Sequence, residues 1–157
     1  MASKLQSVLE ALQATLEVNQ STTVYSPDRV QIMLFWPDEV AIPDGIETVY
    51  LIRPGVKTAG QVQSCDVTER LEVFIVAAHR YRSASQDPFK EDPSRVIVSA
   101  DLIADVEEKL RQDPKLDSTV LDALDGTQDT DFERFLPEWV VPELRLLIRY
   151  RYSKDER

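Results

Sequence analysis

Glu143-Leu-Arg-Leu-Leu-Ile-Arg-Tyr-Arg-Tyr152 closes the chain just behind an acidic, turn-rich segment. With a side-chain period of two, Leu144, Leu146, Ile148, Tyr150 and Tyr152 share one face of a strand. Arg145, Arg149 and Arg151 line the other face. A last strand that is apolar on one side and cationic on the other reads as a sheet member that buries one face in a core. Its second face is left to water or to a partner.

Working back from this strand, Glu69 to Arg82 carries apolar residues on both faces. Leu71, Val73, Ile75 and Ala77 alternate with Phe74, Val76 and Ala78, the pattern of a central strand covered on both sides. Gln31 to Trp36 is dense in large apolar residues and reads as a buried strand ending at Pro37-Asp38. Pro43, Asp44 and Gly45 make a loop, and Glu47 to Arg53 forms a strand stopped by Pro54-Gly55, so a wide hairpin is expected here. Val56 to Ser64 is polar, either a mobile loop or a long hairpin arm. Phe132 to Phe135 reads as a short strand before Pro137.

Two helices are expected. From Leu5 to Val18, Leu5, Val8, Leu9, Leu12 and Leu16 recur at spacings of three and four, with Ser3 and Gln6 as a capping pair. Asp92-Pro93 starts a second, with aspartate as cap and proline in its first turn. Val96, Ala100, Ile103, Val106 and Leu110 hold one face until Asp113-Pro114. The remaining surface falls mainly to Asp105, Glu107, Glu108, Lys109 and Arg111. The expected fold class is α+β: a largely antiparallel or mixed sheet flanked by the N-terminal helix and the second long helix. The 157 residues suit a single domain, 1–157, with its own core.

The composition narrows the chemistry. The longest apolar runs fall far short of the roughly 20 residues that span a bilayer, so the expectation is a soluble protein made in the cytoplasm, with no membrane partner. Cys65 and His79 are single, which leaves too few ligands for a zinc cluster. Asp101 and Asp105 lie four apart on one helix face without a third ligand. No serine, cysteine or carboxylate stands beside His79 in a nucleophile pattern, so it reads as a structural imidazole. The expectation is no enzyme, no catalytic residue, no metal and no cofactor.

Net charge is −10, unevenly spread. Between Asp113 and Glu138 the acids Asp113, Asp117, Asp122, Asp125, Asp129, Asp131, Glu133 and Glu138 face Lys115 and Arg134 alone, a balance of −6. Such a field repels nucleic acid and argues against ordinary DNA binding. It is also a natural complement for the arginines of the last strand. Arg145, Arg149 and Arg151 together with Asp125, Asp129, Asp131 and Glu133 are the candidate subunit interface.

The element order resembles the tail terminator, or tail completion, proteins of long-tailed bacteriophages. The resemblance is carried by Val96-Ile-Val-Ser-Ala-Asp-Leu-Ile-Ala-Asp-Val-Glu-Glu-Lys-Leu110, the acidic turn region and Leu144-Arg-Leu-Leu-Ile-Arg-Tyr-Arg-Tyr152. A strand ending in Arg53-Pro54-Gly55 adds to it. It covers most of the chain as layout and texture rather than as a diagnostic motif, and Gln31 to Gly45 has no counterpart in it. It implies a virion structural protein, assembled in the host cytoplasm into a ring, usually six-fold. Such a ring caps the tail tube, stops its polymerisation and joins a neck or head-completion protein. DNA would pass through its lumen without specific binding. The loops Val56 to Ser64 and Ser83 to Asp92 would meet tube or neck. The rival readings are a head-closure or head-tail joining adaptor, a carboxylate- or metal-dependent enzyme, and a small monomeric binding module.

Overall fold

The computed structural model describes residues 3–17, 27–33, 45–63, 65–81, 93–116, 119–121, 129–131, 135–136 and 139–153. Two helices, α1 (Lys4–Glu17) and α2 (Pro93–Gln112), accompany strands β1 (Arg29–Ile32), β2 (Thr48–Gln63) and β3 (Asp66–Arg80). Strands β4 (Asp129–Asp131), β5 (Phe135–Leu136), β6 (Trp139–Val140) and β7 (Glu143–Ser153) complete the set. The fold is α+β with a mixed sheet. β1 pairs with β2 in parallel, and every other described pair is antiparallel.

β3 is the centre of the sheet, as its two apolar faces require. One edge takes β2 along its whole length, and the other takes β7 from Asp66 to Val76 and then β6 at His79 and Arg80. The period-two reading of the last strand holds residue by residue. Leu144, Leu146, Ile148, Tyr150 and Tyr152 are buried, while Arg145 and Arg149 are half-buried and Arg151 is exposed. Each buried side chain of this size contributes about 1.5–3 kcal/mol by leaving water.

Both helices pack on one sheet face, not on two. Val8, Leu9, Leu12 and Leu16 of α1 and Leu102, Ile103, Val106 and Leu110 of α2 join Tyr50, Ile52, Val73, Ile75 and Leu146 in one core. The opposite face holds a smaller cluster of Val49, Leu51, Val76, Ala78, Trp139 and Val141. At the start of α1 the backbone N–H of Gln6 donates to Ser3 Oγ at 3.2 Å, the expected cap. The Gln6 side chain does not complete a capping box but donates to Glu10 instead.

Several expectations are corrected. Gln31–Trp36 is not a buried strand over its described part: only Val30 of β1 is buried, with Gln31 exposed. It forms no hairpin with the next strand, because Val30 lies opposite Tyr50 in a parallel register, which a tight turn cannot make. β2 does not stop at Pro54-Gly55 but runs through it to Gln63. The irregularity between Pro54 and Lys57 absorbs the proline, and past Ile52 no described strand pairs the outer edge of β2, a position that tolerates a missing N–H. Val56–Ser64 is thus the hairpin arm over its described residues, with Gln63 opposite Asp66 and Cys65 exposed at the turn.

On α2 the apolar stripe is rotated. Ala100 is exposed, whereas Leu102, Asp105 and Lys109 are buried. Of Phe132 to Phe135 only Phe135 is described, as the first residue of β5. Val18, the bridge 19–23, residues 34–44 with Trp36, the loop 83–92 with the Asp92 cap, and the turn Asp125-Gly126 lie outside the described residues. So do Asp125, Phe132 and Glu133. Among the described residues, no helix is long and apolar enough to cross a membrane.

Candidate functional site

The second sheet face, away from the helices, changes character along its length. Near β6 it is apolar. Towards the hairpin arm it is cationic, because alternation places Arg53, Arg70, Arg145, Arg149 and Arg151 there. Register aligns them: Arg53 stands opposite Phe74, Phe74 opposite Arg145, Arg70 opposite Arg149, and Thr68 opposite Arg151. The Arg53 guanidinium sits 5.0 Å from the Phe74 ring centroid, a cation–π contact.

The three arginines of β7 do not share one role. Arg145 is committed inside the chain: its Nε donates to Glu72 Oε2 at 2.7 Å and its Nη2 lies 2.6 Å from the same oxygen. Arg149 lends its backbone as well, its carbonyl accepting from Leu121 N–H at 2.8 Å. Arg151 is the exposed member.

Of the acidic candidates, Asp129 and Asp131 are described, and their backbone lies beside the same strand. β4 pairs with β7 so that Asp129 stands opposite Arg145 and Asp131 opposite Glu143. Together with the Leu121–Arg149 contact, this brings both described ends of residues 121–129 against β7 of their own chain. The backbone of the acidic segment is thus paired, over β4, with the strand that carries the arginines in the same chain. Sequence reading missed this because pairing across about 15 residues leaves no local periodicity to read.

His79, read as a structural imidazole, is hydrogen-bonded inside the sheet. Its Nδ1 shares a hydrogen bond with Thr48 Oγ1 at 2.8 Å, and Asp28 Oδ2 accepts the backbone N–H groups of Glu47 and Thr48 at 2.9 and 3.0 Å. Thr48 is only 4% exposed, so the hydroxyl joins β2 to β3 and is not presented as a nucleophile. Burial pushes the imidazole below its ordinary value, against the opposing pull of the Glu47 and Asp28 carboxylates. The fold thus prefers neutral His79. As pH falls from 6.5 toward the lower folded value, the unfolded chain takes up this proton first and stability declines over that window. Urea midpoints measured across it are expected to lose that part of their pH dependence in His79→Gln.

Asp105 is buried and Asp101 half-buried, and no group of three or more potential metal ligands occurs among the described residues. Two polar clusters were not legible beforehand. Lys109, fully buried, donates from Nζ to the Leu16 carbonyl at 3.0 Å and lies 5.2 Å from the Tyr50 ring centroid. Burial lowers its pKa, with Asp105 opposing, and raises that of Tyr50, with Asp105 adding to the effect.

In the second cluster, Glu69 accepts Tyr150 Oη at Oε2 and Tyr152 Oη at Oε1, both at 2.7 Å. Burial alone would raise the Glu69 carboxyl, but the two phenols and the Lys57 ammonium outweigh it and hold it below its ordinary range. Burial and the same carboxylate push Tyr150 well above the usual phenol value. The only sequence signal was the placement of Tyr150, Tyr152 and Glu69 on inward faces.

Compared with known proteins, the chain matches no family model and no curated protein sequence.

Proposed function

We propose that the chain is the subunit of a closed ring that terminates a long-tailed phage tail tube, halting tube growth and joining the neck. The observation that carries the reading is the pair of unlike rims on one sheet. One rim is β2 with its arm, where Val56 is 68% and Val62 58% exposed. The other is β7, rimmed by exposed Arg151 and short β4. Head-to-tail closure needs two different surfaces of this kind on each subunit. The element order adds support: an N-terminal helix, a long central hairpin, a second helix and an aromatic, basic last strand.

Within this reading the expected interface narrows. Arg145 serves the fold through Glu72, and Arg151 faces the neighbour. The tail tube protein and a neck or head-completion protein are the proposed partners, with DNA passing through a lumen that does not bind it. The role asked of the chain is structural rather than catalytic.

Electron microscopy of the purified protein tests this. Closed rings with a central hole are expected for the native chain and Arg145→Lys, and fewer than a tenth as many for Arg151→Glu at equal concentration, on the order of one reversed interfacial charge. Scattered single subunits in the native sample would count against the proposal.

A further inference from the structure

At the start of α1 a cavity of about 400 Å³ opens between the helix and the arm of the sheet. Its walls are Ser3, Lys4 and Leu5, the two tyrosines of β7, Glu69 and Lys57. That volume falls in the range of small-molecule sites, roughly 300–1,000 Å³.

The cavity is locally cationic within an acidic chain. Each Glu69 oxygen already accepts a phenol at 2.7 Å, and the Glu69 side chain is only 9% exposed. The two phenols hold the carboxylate in place, and the Lys57 ammonium adds to them as an ion pair. Lys57 Nζ stands 3.6 Å from Glu69 Oε2, beyond hydrogen-bond length, with 49% of its side chain exposed. Glu69 draws the ammonium over the cavity by charge, and an ammonium carries three N–H donors, more than one carboxylate contact uses. Lys4 adds a second ammonium, so two positive groups line the cavity against one carboxylate. Leu5 and the Tyr150 and Tyr152 rings, stacked with centroids 6.2 Å apart, supply an apolar and aromatic wall.

We infer that this cavity binds a small organic acid, its anionic group held by Lys57 and Lys4 and its apolar body laid against Leu5 and the tyrosine pair. Glu69 is a positioning residue. It fixes both phenols and draws Lys57 over the cavity, and its own charge sets a limit of one anionic group on the ligand. The site depends on residues of one chain only, so it stands or falls separately from ring formation.

Benzoate is the probe for an anion with an apolar body, and inorganic phosphate for a bare oxyanion. Both are titrated into the full chain and followed by the NMR amide shifts of residues 3–5, 57 and 69. Benzoate is expected to shift these amides saturably, with an affinity in the millimolar range for a ligand of this size. Lys57→Met, which leaves Glu69 with both phenol hydrogen bonds, is expected to bind at least tenfold more weakly, the scale of one lost charged hydrogen bond. Lys4→Met should weaken binding in the same direction. No saturable shift with benzoate, equal affinity in a folded Lys57→Met, or binding of phosphate in preference to benzoate would each overturn the inference.

Discussion

Lys109→Ala is expected to lower stability by about 3 kcal/mol, read as a fall in urea midpoint at unchanged slope. Three buried methylenes leave the core, at about 0.8 kcal/mol each. A charge-assisted hydrogen bond to the Leu16 carbonyl is lost, worth about 1.5–3 kcal/mol. Relief of the ammonium's own desolvation offsets part of that sum. The Leu16 carbonyl belongs to the last turn of α1, which has no basic residue of its own to interact with its carbonyl end. Lys109 reaches across from α2 and supplies that charge. Lys109→Met keeps most of the packing and is expected to cost about half as much, since burial of methylenes then survives and only the charged bond goes. Equal losses in the two variants would show that packing is not part of the lysine's contribution.

Gly60→Ala is expected to cost on the order of 2–3 kcal/mol, the scale of forced overpacking. A Cβ there would run into the Thr68 carbonyl group of the paired strand, whose atoms are backbone and cannot swing aside. Gly60 lies in the irregularity between Ala59 and Val62, where the extra residue brings β2 close against β3. The loss should concentrate in the arm. Amide exchange should quicken at Thr58–Gln63 and Asp66–Arg70 while the core of β3 near Ile75 keeps its protection. Gly55→Ala is the milder comparison, because the atoms crowding it belong to the Glu72 and Phe74 side chains. A Gly60 variant with native stability and native exchange in the arm would refute the close-approach account.

What was legible in the sequence follows the reach of each signal. The Leu144–Tyr152 alternation, the double-faced Leu71–Ala78 run and the Ser3 cap are local patterns, and the structure realises them almost residue by residue. The parallel placement of β1 was not legible, since an apolar run followed by Pro and Gly is equally compatible with a hairpin. Pro54-Gly55 misled for a related reason: a breaker in a strand whose outer edge has no described partner can be absorbed by an irregularity. On α2 the charge of Asp105 and Lys109 assigned them to the surface. In the fold the 3.6-residue period places them beside Leu102 and Val106, where the Leu16 carbonyl and the Tyr50 ring receive the lysine. Of the candidate interface, the sequence shows only two sets of opposite charge. That Arg145 is held by Glu72 while Arg151 is exposed depends on the long-range register of β7 against β3.

The most direct test of the ring account is the mass of the purified chain by light scattering across a concentration series, at low and high salt. The account predicts a closed oligomer of six subunits at low salt that loosens as salt screens the Arg151 face. A monomer at every concentration and salt would contradict it.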